Sequence, residues 1–128
     1  MKLLPRIEVT AGVIWQDGKV LIAQRAEAKY AGLWEFPGGK IEAGESPQVC
    51  LARELMEELK IDCEIDSLIC TTEWHREDKI IVLHTFNIFH FSGVPSLSVH
   101  SQIEWLPVGE LVKESFLPAD RPVIDCLI

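Results

Sequence analysis

Glu54, Glu57 and Glu58 stand at i, i+3 and i+4 within "PQVCLARELMEEL", so a helix there lines up three carboxylates along one face. Like charges at that spacing destabilise a helix by roughly 0.2–0.5 kcal/mol per pair. No lysine or arginine lies four residues beyond any of the three to offset the repulsion. Two more acids, Glu42 and Glu45, lie just upstream in a loop that also carries Gly38, Gly39 and Gly44. Glycines let backbone carbonyls come close to a bound ion. Carboxylates plus a carbonyl are hard oxygen donors, the set that suits Mg²⁺ or Mn²⁺. Such a wall of acids repels itself when empty and is relieved once a divalent cation arrives.

The helix that must carry these residues has clear ends. Ser46 supplies an N-cap hydroxyl and Pro47 the first helical position, so the helix is expected over 47–59. Ala52, Leu55, Met56 and Leu59 fall at i, i+3, i+4 and i+7, which predicts an apolar stripe packed on a sheet, with the three glutamates on the opposite side. Upstream, "RIEVTAGVIW" and "KVLIAQR" read as strands joined by an Asp17-Gly18 hairpin turn. Residues 26–33 read as a loop and "WEF" as a short extended piece ended by Pro37-Gly38-Gly39. Downstream, "CEIDSLICTTEW" and "KIIVLHTFNIFHF" are two further strands, antiparallel across "HREDK". Residues 92–102 read as a loop, "IEWLP" as a strand, "VGELVKE" as a short helical segment, and 118–127 as a last helix. Strands mixed with two or three helices point to an α/β or α+β sandwich.

Composition narrows the function. The 128 residues fit one domain, and 48% hydrophobic with 25% charged residues is the balance of a globule with a real core. No apolar run reaches the ~20 residues of a membrane span. The start shows no secretory leader, so the cytoplasm is the expected compartment. Cys50, Cys63, Cys70 and Cys126 form no C-x-x-C pair, and the four histidines show no zinc-ligand spacing. A net charge of −8 argues against a nucleic-acid polymer as partner, but not against a small nucleotide that arrives with its own cations; with no long apolar run, no membrane partner is expected either. Nothing in the sequence fixes an oligomeric state, and a monomer is compatible with everything read from it.

Residues 39–61 resemble the Nudix box, G-x5-E-x7-R-E-U-x-E-E-x-G-U with U aliphatic. Gly39, Glu45, Arg53, Glu54, Leu55, Glu57, Glu58 and Ile61 match in register, and Lys60 replaces the box's second glycine. That glycine reads as a left-handed C-cap, where another residue costs roughly 1 kcal/mol. The resemblance implies a Nudix fold, a mixed β-sheet between α-helices, as a single domain over 1–128. It also implies that the Gly38 carbonyl with Glu54, Glu57 and Glu58 holds divalent cations. Arg53 is then expected to orient a neighbouring glutamate, and Glu45 to brace the loop against the helix.

The flanks "GLWEFPGGK" and "FLPADRPVI" look like the MutT branch and its CTP-hydrolysing relatives. The implied reaction is (d)NTP plus water giving (d)NMP and pyrophosphate, as in clearing oxidised nucleotides such as 8-oxo-dGTP. In that setting Arg25 and Lys40 are expected at the phosphates, Glu35 and Phe36 on the wall of the base pocket, and Asp120 as the residue that reads the base. Trp34 serves either base stacking or the core. Asp120 accepts from a base when ionised and can also donate when buried and protonated, so oxidised purine and cytosine both stay open. The general base is Glu54, Glu57 or a loop residue such as His100, with Glu104 nearby in a strand. Two other readings remain: a non-catalytic Nudix-fold nucleotide-binding module, and a hydrolase for ADP-ribose, dinucleoside polyphosphates or sugar nucleotides.

Overall fold

The computed structural model describes residues 3–27 and 29–128. Met1 and Lys2, the start of the segment read above for a leader, and Ala28 of the 26–33 loop lie outside the described residues. Strand β1 (Arg6–Gln16) turns at Asp17-Gly18, both at positive φ, into β2 (Lys19–Arg25). Two short strands follow, β3 (Trp34–Glu35) and β4 (Gly38–Lys40), and then helix α1 (Pro47–Leu59). Next come β5 (Asp62–Glu64), β6 (Leu68–His75), β7 (Ile80–Ile88), β8 (His90–Ser92) and β9 (His100–Leu106). Single 3-10 turns lead into α2 (Arg121–Leu127).

The main sheet runs β3-β2-β1-β7-β6, with β4 on β1 and β9 on β2. Among the named strands of the described residues only β1 and β7 pair in parallel; their register spans Arg6↔Ile80 to Ile14↔Ile88. The expected antiparallel pair across residues 76–79 is present, from Leu68↔Phe86 to His75↔Ile80. Alternation along the strands sends side chains to two cores, as period-two geometry demands. Ala11, Val13, Val20 and Ile22 pack with Phe116, Val123 and Ile124 below α2. Ile14 and Leu21 pack with Leu51, Leu55 and Leu59 of α1. The mixed sheet between helices is therefore the architecture expected from the sequence. Among the described residues no helix is long and apolar enough to cross a membrane.

Four local expectations are corrected. The buried stripe of α1 is Cys50, Leu51, Leu55 and Leu59, whereas Met56 is 45% exposed. The stripe is rotated because Glu54 and Glu58 turn toward the sheet rather than away from it. Residues 63–74 form two strands, not one, and β5 pairs with β8 in a separate ribbon. Gly38 to Lys40 is a strand on β1 rather than part of a turn. Strand β9 begins at His100, inside the segment read as loop. The ends of α1 follow expectation: the Ser46 hydroxyl accepts the Val49 N–H at 3.2 Å, and Lys60 sits in the left-handed region at φ 62°.

Candidate active site

The contact between β4 and α1 depends on two glycines. A Cβ at Gly38 would overlap the Thr10 carbonyl, and one at Gly39 would overlap the Glu54 carboxylate. Only hydrogen fits at Gly38, and a side chain at Gly39 would displace the Glu54 carboxylate, so the chain comes close to β1 on one side and to α1 on the other.

Arg53 organises the flank of α1. Its Nε donates to Glu45 Oε2 at 2.7 Å and its Nη2 to Glu45 Oε1 at 2.9 Å, a two-pronged ion pair. Nη1 reaches Glu54 Oε1 at 2.9 Å and, more weakly, Glu57 Oε2 at 3.3 Å. Glu45 also accepts the Glu42 N–H at 2.9 Å, which ties the connecting loop to the helix. The Arg53 guanidinium holds the Glu45 carboxyl down at about 2. Glu45, then Glu54, pushes Arg53 above its ordinary value.

Glu58 lies on the other side of this flank and has no such partner. Its Oε2 is buried without a hydrogen bond. Burial, followed by the charges of Glu35 and Glu54, pushes its carboxyl up to about 8. Glu58 forms part of the wall of a cavity of about 350 Å³, which Gly38, Gly39, Phe36, Arg25, Glu35, His100 and Asp120 also line. Glu35 is held at both oxygens: Arg25 Nη1 donates to Oε1 at 3.0 Å, and His100 Nε2 lies 2.7 Å from Oε2. Asp120 lines the same cavity, 4% exposed, with Oδ1 unpartnered among the described residues. Burial and then the Glu35 charge raise its carboxyl well above the usual range, against the opposing Phe36 N–H and Arg25. A buried acid that stays neutral can donate as well as accept.

The structure thus brings Arg25, Glu35, Phe36, Gly38, Glu58 and Asp120 to one cavity, and gathers Glu45, Glu54 and Glu57 around Arg53 beside it. Lys40 is exposed and outside the cavity wall; its carbonyl accepts from Arg53 Nη2 at 3.3 Å. Trp34 packs against the α2-side core. His100 is 8% exposed and sits in a strand, not in an open loop, and Glu104 is paired with Ile22 in β9. Tyr30, Trp74, Arg76 and Lys79 also line the cavity and were not anticipated. Trp74 and Arg76, two apart at a strand end, were the available signal.

Among the described residues no three acidic, histidine or cysteine side chains converge as a ready cation cage; Arg53 engages both Glu54 and Glu57. A divalent cation nevertheless fits this flank, through hard oxygen donors and through the buried Glu58 oxygen left without a partner.

The NUDIX domain family matches residues 6–127. The CTP pyrophosphohydrolase of Escherichia coli K12 is 37% identical over 95% of this chain and 91% of its own length. The chain belongs to the Nudix hydrolase family. The same organism's 8-oxo-dGTP diphosphatase is 33% identical to this Nudix hydrolase, over 94% of the chain and 95% of the relative. The solution structure of the E. coli ORF135 protein superposes with a TM-score of 0.89 at 37% identity, covering 97% of this chain and 89% of that one. The crystal structure of a MutT NUDIX hydrolase from Burkholderia pseudomallei gives 0.88 at 26% identity, with 96% and 98% covered.

Proposed function

We propose that this Nudix hydrolase converts (deoxy)nucleoside triphosphates, oxidised ones such as 8-oxo-dGTP foremost, to the monophosphate and pyrophosphate, and so cleans the cytoplasmic nucleotide pool that supplies DNA synthesis. The observation that carries this reading is the position of Glu58. It belongs both to the acidic flank of α1 and to the wall of a cavity that Asp120, a buried acid whose carboxyl is raised by burial, also lines. A phosphate chain at the flank and a base at Asp120 fit one elongated ligand.

Glu54, Glu57, Glu58 and the Gly38 carbonyl would hold Mg²⁺, or Mn²⁺ in its place. When bound, the cation neutralises polyphosphate charge, polarises phosphorus and eases deprotonation of water. The chain's own residues do the rest. Arg53 fixes Glu54 and leaves its second oxygen available, while Glu45 anchors Arg53. Arg25 brings positive charge to the cavity and holds Glu35, and Lys40, exposed outside the cavity wall, would add positive charge for the phosphates. His100 is committed to Glu35 through Nε2, so the attacking water's proton goes to Glu54 or Glu57. Phe36 offers its ring to the base and its backbone N–H to Asp120.

A second substrate reading, CTP or dCTP, is favoured by the 37% identical CTP pyrophosphohydrolase and by Asp120 itself. A neutral carboxyl pairs with the amino group and ring nitrogen of cytosine as well as with the N7–H and O6 of 8-oxoguanine. The box keeps all its glutamates, which speaks against a non-catalytic module. Pyrophosphate release across a panel of normal and oxidised (d)NTPs, with Mg²⁺ and with chelator, tests the reading. Release that needs the cation, with 8-oxo-dGTP giving the highest kcat/KM, supports it; a maximum at CTP moves the substrate to the second reading. No release from any triphosphate overturns both.

A further inference from the structure

Strand β6 is the last strand of the main sheet, and from Cys70 onward its register on β7 is regular, Cys70↔Thr85 to His75↔Ile80. Period-two alternation therefore puts Cys70, Thr72 and Trp74 on one face, and that face meets the C-terminal segment. Thr72 Oγ1 donates to the Ala119 carbonyl at 3.0 Å. Cys70, Trp74 and Leu127 pack against the core that holds Val123 and Ile124. Cys126 stands one helical turn beyond Val123, at the rim of that contact, and its thiol interacts with the Cys70 thiol. Both are free, Cys70 half-buried and Cys126 exposed. The register of β6 shifts between Leu68 and Cys70, an irregular step of the kind that lets an edge strand bend locally.

The other two cysteines set a contrast. Cys50 is taken up by the Thr10 hydroxyl and the Lys40 carbonyl at 3.4 and 3.3 Å, and Cys63 fills part of the core under α1. A cysteine that only fills space needs no second sulfur beside it. Cys70 and Cys126 come from distant parts of the chain and still face one another. A cross-link between them closes a long loop, the case in which the unfolded chain loses most freedom.

We propose that Cys70 and Cys126 are a site of reversible oxidation, where hydrogen peroxide converts the two thiols into a disulfide that fastens α2 to the edge of the sheet. The proposal is independent of the nucleotide reading, and neither cysteine is among the residues that line the cavity. Burial, and then the Cys126 thiol, push Cys70 upward, so the reaction starts at the exposed Cys126. Its sulfur attacks the peroxide, the O–O bond breaks, one oxygen leaves as water and the other stays as a sulfenic acid. The Cys70 sulfur then attacks the Cys126 sulfur, the S–O bond breaks, and a second water carries off the Cys70 proton. Two thiols have lost two electrons, and one peroxide has become two waters. Exchange with a small thiol reverses the step. Because α2 follows directly on Asp120, the bridge holds down the helix next to one wall of the cavity.

The test treats the reduced protein with hydrogen peroxide and follows mass, thiol content under denaturing conditions, non-reduced peptides and melting, in wild type and Cys126→Ser. Wild type should lose two hydrogens, fall from four free thiols to two, and yield one peptide pair joined through Cys70 and Cys126. Its melting temperature should rise by about 5 °C or more and return with dithiothreitol. Cys126→Ser, altered at an exposed position, should show neither the joined pair nor the rise. Oxidation that leaves Cys126 as a sulfinic acid, or joins it to a second chain, with no Cys70–Cys126 pair overturns the proposal. A bridge that forms and leaves the melting temperature unchanged or lower overturns the fastening of α2.

Discussion

Arg53 and Asp120 mark two polar regions built on opposite rules. Around Arg53 the tightly held carboxylates are satisfied: Glu45 takes three hydrogen bonds, and its carboxyl is held at about 2. Around Asp120 the protein leaves buried groups unmatched: Asp120 Oδ1, Glu58 Oε2 and His100 Nδ1 have no partner, and the two carboxyls are pushed upward. Unpaired buried polar atoms cost stability, and no fold needs them in one cavity. The difference teaches where work is done. Arg53 and Glu45 are scaffold that positions Glu54 and Glu57, and the cavity holds unmet valence.

The harshest way to break the comparison is Glu58→Gln. It keeps the shape and removes the capacity to ionise of the group shared by both regions. The expected outcome is a fall in kcat/KM of about a hundredfold or more, with the metal-free protein melting no lower than wild type. Near-normal kinetics, or a marked loss of apo melting temperature, would make Glu58 structural.

Asp120→Ala sharpens the base end. A two-bonded reading of a base is worth about 1–3 kcal/mol, so kcat/KM for the preferred nucleotide should drop about tenfold to a hundredfold relative to the others. A uniform drop over all bases would remove Asp120 from recognition.

What could be read in advance, and what could not, follows the range of the forces involved. The Ser46-Pro47 start of α1, the register of its glutamates and the left-handed Lys60 depend on residues within a few positions, and each was legible. Which face of α1 is buried depends on Gly39, eleven positions before Cys50. Because the Glu54 carboxylate packs against that glycine, Leu51 turns inward and Met56 outward. Strand β4 was illegible because two glycines carry almost no strand preference; only pairing with β1 makes it one. Of the candidate site, the box and the "EFPGG" and "PAD" segments were visible as patterns. Tyr30, Trp74 and Arg76 meet only because the sheet order sets the β2–β3 loop beside the β6–β7 hairpin, and no local period records that.

The two regions should also answer pH with opposite signs in the metal-free protein. Glu45 has a folded value below its ordinary 4.5, so it contributes stability above that value, lost as pH falls toward about 2. Asp120 has a folded value above its ordinary 3.8. The native state there binds the proton more tightly, and stability drains away as pH rises from 3.8 through the folded value. Melting curves from about pH 2 to about pH 8 should therefore show Glu45→Gln falling further below wild type as pH rises to about 5, with a constant gap above it. Asp120→Asn should gain on wild type over the same range. Parallel slopes for the two variants would erase the distinction between scaffold and cavity.

The smallest expected effect lies at the end of α1, outside both regions. Lys60 caps the helix at φ 62°, its N–H bonded to the Met56 carbonyl at 3.1 Å and its Nζ to the Glu57 carbonyl at 3.0 Å. Glycine takes that backbone shape without strain, so Lys60→Gly removes a penalty of about 1 kcal/mol. It also removes one exposed hydrogen bond, worth about 0.5–1.5 kcal/mol, and leaves the N–H cap in place. The two terms nearly cancel, and the melting temperature should rise by no more than a few degrees with kcat and KM unchanged. A large change in kcat would show that the helix end transmits strain to Glu57 and Glu58, and that the line drawn here between support and working groups runs one turn further along α1.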